Sequence, residues 1–192
     1  MDYGIYKNVR DASWQCLIDC GVSALPVRPV QIALHYDVEC LDYAPLLQSG
    51  ESGKIIRRTD SRVQIMLNPN QPAPRKRFTI LHELGHYLLG HLGDEPLPRS
   101  YSTITQPEEY AAERFAVGVL MPACVLWGLQ AFDSDAIAAL CNVSQSAAQR
   151  RSERMQILRE RDKFLTSPLE RQVYQQFQDF IRSTKFDKDI TI

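Results

Sequence analysis

Residues 78–91 read FTILHELGHYLLGH, and three of the chain's four histidines stand within them. On a helix at about 100° per residue, His82 and His86 lie about 40° apart and one turn along, so both imidazoles reach one ion. Glu83 then sits about 100° from His82, beside such an ion rather than on it. Phe78, Leu81, Leu84, Leu88 and Leu92 fill another arc and face a core. The pattern is H-E-x-x-H. It supplies two histidine ligands and a carboxylate placed to take a proton from water at the ion. Gly85 lies inside this helix, where glycine costs about 1 kcal/mol against alanine. Its presence implies that another backbone packs closely there.

A catalytic zinc takes a third protein ligand and keeps one position open. His91 misses the metzincin register, in which glycine and histidine each fall one residue from where they stand here. On a continued helix it points about 180° away from His82, as a solvated histidine near a helix C-terminus would. The better source is the next long helix. Thr105-Gln-Pro-Glu108 has the form of a capping box, so that helix starts near Thr105. Glu109 and Glu113 share one of its faces, flanked by Ala112, Ala116 and Leu120. That face is small enough to pack on Gly85 and bring a carboxylate to the ion. One glutamate would ligate and the other would hydrogen-bond a ligand histidine from behind; spacing does not choose between them.

Working outward, RVQIMLNPN (62–70) is the clearest strand, with Val63, Ile65 and Leu67 on one face and Gln64 and Met66 on the other. DVECLDY (37–43) alternates like a strand. SGESG (49–53) reads as a hairpin turn into a returning strand at 54–58. Helices are expected over about 3–20, 30–36, 75–89 and 107–121. Another covers 133–165 with a break at 142–144, and a last one runs over 168–184. Helices, a small sheet, then helices make an α+β plan.

The 192 residues suit one domain with a small appended unit, long enough to bury a core without staples. With 44% hydrophobic residues, 23% charged and a net charge of -1, nothing calls for nucleic acid, a membrane or an acidic ligand. The charged N-terminus is not a secretory signal, and no membrane-spanning helix is expected. Five cysteines, an odd number with no C-x-x-C pair, read as reduced thiols in a cytoplasm.

FTILHELGHYLLGH followed by EEYAAERFAVGVLMP (108–122) resembles the ImmA/IrrE family of zinc-dependent metallopeptidases. That family typically shows a strand ending in Asn-Pro, the H-E-L-G-H helix and an E-x-x-A-[ND]-x-F-A-x-x-L-L-M-P motif. The resemblance covers roughly residues 20–125. It implies a zincin-like, gluzincin-type fold with a small, mostly antiparallel sheet, an active-site helix and a helical C-terminal part. It makes His82, His86 and Glu109 the metal ligands and Glu83 the catalytic base. Glu113 stands where Asn or Asp is usual, and its length leaves it as an alternative third ligand. Two histidines and a carboxylate suit Zn2+, with Mn2+ the alternative. The family's substrates are transcriptional repressors, often of helix-turn-helix type. An extended peptide could pair with an open edge of the Val63–Leu67 strand. Tyr87, Tyr101 and Tyr110 are candidate oxyanion donors.

The division expected is a peptidase domain over 1–127 and a helical region over 128–192. Within the latter, DAIAALCNVSQSAAQRRSERMQIL (135–158) has a helix-turn-helix outline, with Arg150, Arg151 and Arg154 on the second helix. Its apolar positions, Ala147, Ala148, Met155 and Leu158, favour ordinary packing or partner recognition over DNA binding. A DNA-binding or repressor-binding module with a structural metal is therefore the alternative to an endopeptidase.

Overall fold

A computed structural model of the chain describes residues 3–92 and 105–190. They form two compact units, one of residues 3–13, 28–92 and 105–117 and one of residues 14–27 and 118–190. The first helix, α1 (Tyr3–Asp19), contributes to both.

The first unit is built on three strands, β1 (Val38–Asp42), β2 (Gly53–Arg57) and β3 (Val63–Leu67), in the order β1-β3-β2. β3 is parallel to β1, with Val38 opposite Val63, and antiparallel to β2, with Ile55 opposite Ile65. The sheet is therefore mixed rather than mostly antiparallel, and residues 49–53 do not turn β1 back on β2. The hairpin is β2–β3, turning through 58–62. The reason lies in burial. All five β3 residues are buried, so β3 takes the centre, whereas β1 exposes Glu39 and Asp42. Gln64 Nε2 donates to Glu39 Oε2 at 2.6 Å, a cross-strand pair that fits the parallel register.

With both its neighbours paired, β3 has no open edge for a peptide. Among the described residues β2 is the edge strand beside the next helix, and Gly53 to Ile55 along it are buried. Asn68 N–H donates to Ser52 O and Arg58 N–H to Arg62 O. Antiparallel pairing alternates, so Gly53, Ile55 and Arg57 turn their backbone N–H and C=O groups outward.

Helix α2 (Pro29–His35) packs on β1, and α3 (Ala73–Leu88) packs on β2 and β3. Pro72 precedes α3 and Pro74 lies in its first turn, where the missing N–H costs nothing. The helix thus starts two residues before the expected position. Its end is a Schellman cap. Gly90 has φ +75, His91 N–H donates to His86 O at 2.9 Å, and Gly90 N–H donates to Tyr87 O at 3.1 Å. Helix α4 (Gln106–Leu120) begins at the expected capping box: Thr105 N–H and Oγ1–H both donate to Glu108 Oε2, at 2.7 and 2.9 Å.

The second unit is helical. Pro122 ends α4 and opens a short further helix, α5 (Ala123–Gly128), that the periodicity does not reveal. α6 (Ser134–Cys141) and α7 (Gln145–Glu160) meet at Asn142, whose φ is +50, and Ser144 caps α7 by accepting from Ala147 N–H. The last helix is interrupted at Phe177 into α8 (Pro168–Gln176) and α9 (Gln178–Ile190). The stretch Gln106–Gly128 is, contrary to expectation, long and apolar enough to cross a membrane, yet 72% of its most apolar window is buried inside the protein. That is the pattern of a core segment.

Candidate metal centre

The centre lies in the first unit, where α3 and α4 touch. Gly85 is the reason they can. A Cβ added there would stand 3.1 Å from the Phe115 ring and 3.3 Å from the Ala112 backbone. The close approach expected from this glycine is present, and its partner is the Ala112 face of α4. One turn before Ala112, Glu109 is carried to the histidine edge of α3.

There His82 Nε2 and His86 Nε2 are 3.2 Å apart. Glu109 Oε2 is 3.3 Å from His82 Nε2, and Glu109 Oε1 is 3.7 Å from His86 Nε2. Among the described residues, these three form a group whose ligand atoms all lie within 4.8 Å of one another. Phe78 stacks on His82 with centroids 5.9 Å apart.

Charge at the cluster decides what it can bind. Burial, helped by the Arg75 and His91 charges, pushes the His82 imidazole down to about 4. Burial, with His82 and His91 nearby, pushes His86 down to about 3. Both rings are therefore neutral near pH 7. Burial and the adjacent Glu108 and Glu113 raise the Glu109 carboxyl above its usual range, so its negative charge lacks compensation. Two imidazole lone pairs and a carboxylate thus converge, with no proton donor among the described residues sufficient for all three. A cation would supply what is missing. Four tetrahedral ligands at about 2.0–2.1 Å from an ion stand about 3.3 Å from one another; the Nε2 pair at 3.2 Å and Glu109 Oε2 at 3.3 Å from His82 Nε2 match that figure, while the nearest approach to His86 is by the other oxygen, Oε1, at 3.7 Å. The donor set fits a metal ion.

Glu83 points elsewhere. It is buried, and its Oε2 accepts Ile55 N–H at 3.0 Å. The carboxylate thus lies at the outward-facing edge of β2, beside the histidine edge of its own helix. Glu113 is half-buried on α4 and is not part of the close cluster.

His91 departs from the expectation of a solvated side chain. Because Gly90 reverses the chain, the His91 ring folds back on α3, and its Nδ1 lies 3.0 Å from His86 Nδ1. The continued-helix projection fails because the helix stops at Leu88. The glycine in LLGH was the available signal, since glycine just past a helix end marks this cap. Of the tyrosines, Tyr87 is half-buried at the end of α3. Tyr110 is exposed, and its hydroxyl accepts from Arg114. Tyr101 lies outside the described residues.

In the second unit, α6 and α7 pack on each other across a three-residue turn. Arg151 donates to the Met121 carbonyl, and Arg150 Nε donates to Ser146 O at 3.4 Å. Two of the three arginines singled out on α7 are thus engaged within their own unit.

No curated protein matches the chain at a significant level. The Peptidase M78 family model, described as the IrrE N-terminal-like domain, matches residues 43–153, a span that includes α3, α4 and every residue of the cluster. With its histidine pair and its glutamate on those two helices, this chain belongs to the ImmA/IrrE family of peptidases.

Proposed function

We propose that the chain is a zinc-dependent endopeptidase that cuts a transcriptional repressor in the cytoplasm. The observation that carries the metallopeptidase reading is the convergence of His82 Nε2, His86 Nε2 and the Glu109 carboxylate, three acceptors with no sufficient donor among the described residues. These residues would hold the ion, and two imidazoles with one carboxylate favour zinc over manganese. When bound, the ion supplies Lewis-acid polarisation of the scissile carbonyl.

The chain's own groups do the rest. Glu83 takes the proton of the attacking water and delivers it to the leaving amine. Its anchor, Ile55 N–H, belongs to the β2 edge. An extended substrate that reached this edge near Arg57, the half-buried end of β2, would therefore pass beside the base. The repressor substrate rests on family membership alone.

The test is a comparison of protein N-termini in a host-cell lysate incubated with the zinc-loaded protein or with Glu83→Gln. New termini inside DNA-binding repressors, seen only with the native protein and abolished by a chelator, support the reading. Identical termini in both samples remove it.

A further inference from the structure

We propose that His91 is a positioning residue for His86, fixing the tautomer and ring orientation with which His86 presents Nε2 to the ion. The inference rests on the metal-site reading above and adds to it a residue outside the H-E-x-x-H motif.

The two rings face each other through Nδ1, 3.0 Å apart, with centroids 5.1 Å apart and planes inclined at 68°. A hydrogen bond between two Nδ1 atoms needs one donor and one acceptor. If His86 Nε2 offers its lone pair toward Glu109 and His82, the His86 proton must sit on Nδ1. His86 Nδ1–H then donates to His91 Nδ1, and His91 carries its own proton on Nε2. The contact therefore accommodates the tautomer that ligation requires, and with an ion on Nε2 it would hold His86 in it.

The backbone holds the pair in place. His86 and His91 are the two residues that the Schellman cap joins by its six-residue hydrogen bond, His91 N–H to His86 O at 2.9 Å. That motif commonly brings the side chains of these two positions together. Here the contact is polar, and His86 is fully buried. His82 makes an instructive contrast. Its Nδ1 is buried without a hydrogen-bond partner among the described residues. Of the two ligand histidines, His86 is thus the one whose far nitrogen is anchored by a described side chain. Groups that bind the far nitrogen of a ligand histidine typically matter 10–100-fold in metal affinity.

The experiment measures zinc affinity of the full chain by competition with a chromogenic chelator, with no substrate present. His91→Phe keeps the ring and removes the acceptor. His91→Asn places an amide oxygen where Nδ1 stood. Glu109→Ala serves as the control for the site, and circular dichroism checks the fold of each protein. The expected result is roughly 10–100-fold weaker zinc binding in His91→Phe and near-native binding in His91→Asn. Native-like affinity in His91→Phe, or an equal loss in both variants, overturns the positioning role while leaving the metal site standing. Failure of the native protein to bind zinc overturns both.

Discussion

Glu83 and Ile55 are joined across two elements: the carboxylate on α3 accepts the outward N–H of the edge strand β2 at 3.0 Å. The bond ties the proposed base to β2, an edge strand of the sheet, so the group that moves protons and the backbone that would align a peptide share one contact. Glu83→Gln retains an oxygen for Ile55 but loses the base. Cleavage should fall by about 10²–10⁴, with zinc content unchanged and stability altered by less than about 1 kcal/mol. Glu83→Ala also removes the acceptor facing Ile55 and should cost about 1–3 kcal/mol more in urea unfolding. Retained cleavage in Glu83→Gln would dismiss the base assignment.

Gly85 sets the spacing of α3 and α4, and with it the reach of Glu109. Alanine improves helix propensity by about 1 kcal/mol, but its methyl meets the buried Phe115 ring and the Ala112 backbone. Overpacking of this kind costs about 1–3 kcal/mol. Gly85→Ala should therefore lower stability by about 1 kcal/mol net and weaken zinc binding as the helices part. A variant more stable than the native protein, with full zinc affinity, would show that the gap yields freely.

Two thiols give a pH signature independent of the metal. Burial, with the Glu39 charge beside it, pushes Cys40 up to about 11; burial, with Glu170 nearby, pushes Cys124 up to about 12. Both folded values lie above the unfolded value of about 8.5. The stability they contribute is therefore present below that pH and lost as pH rises through 11 and 12. At pH 8 about one Cys40 in a thousand is thiolate. Iodoacetamide labelling of Cys40 should be slow at pH 8, rise about tenfold per pH unit, and be fast in denaturant at any of these pH values. Equal rates in folded and unfolded protein at pH 8 would contradict the burial argument.

Much of the centre was legible because helical periodicity is local. The histidine spacing, the capping box at Thr105 and the helical glycine at 85 each report on a few adjacent residues. What was missed depends on partners or on chain reversals. Strand order is set by which strand is buried on both faces, and the β1–β3 pairing joins residues 25 apart. That arrangement also puts β3 at the centre and leaves β2 and β1 as the outer strands. His91 was projected along a helix that Gly90 had already ended. Helix α5 and the interruption at Phe177 are too short-ranged for an 11–18-residue window to resolve. That Glu109 rather than Glu113 lies beside the histidines depends on how α4 packs on Gly85, which no spacing rule contains.

The most direct test of the account is the metal content of the purified native protein, Glu109→Ala and Glu113→Ala, measured by elemental mass spectrometry after zinc loading and desalting. The account predicts about one zinc per native chain, loss in Glu109→Ala, and retention in Glu113→Ala. A native protein without zinc, or a site that survives Glu109→Ala and is lost in Glu113→Ala, would contradict it.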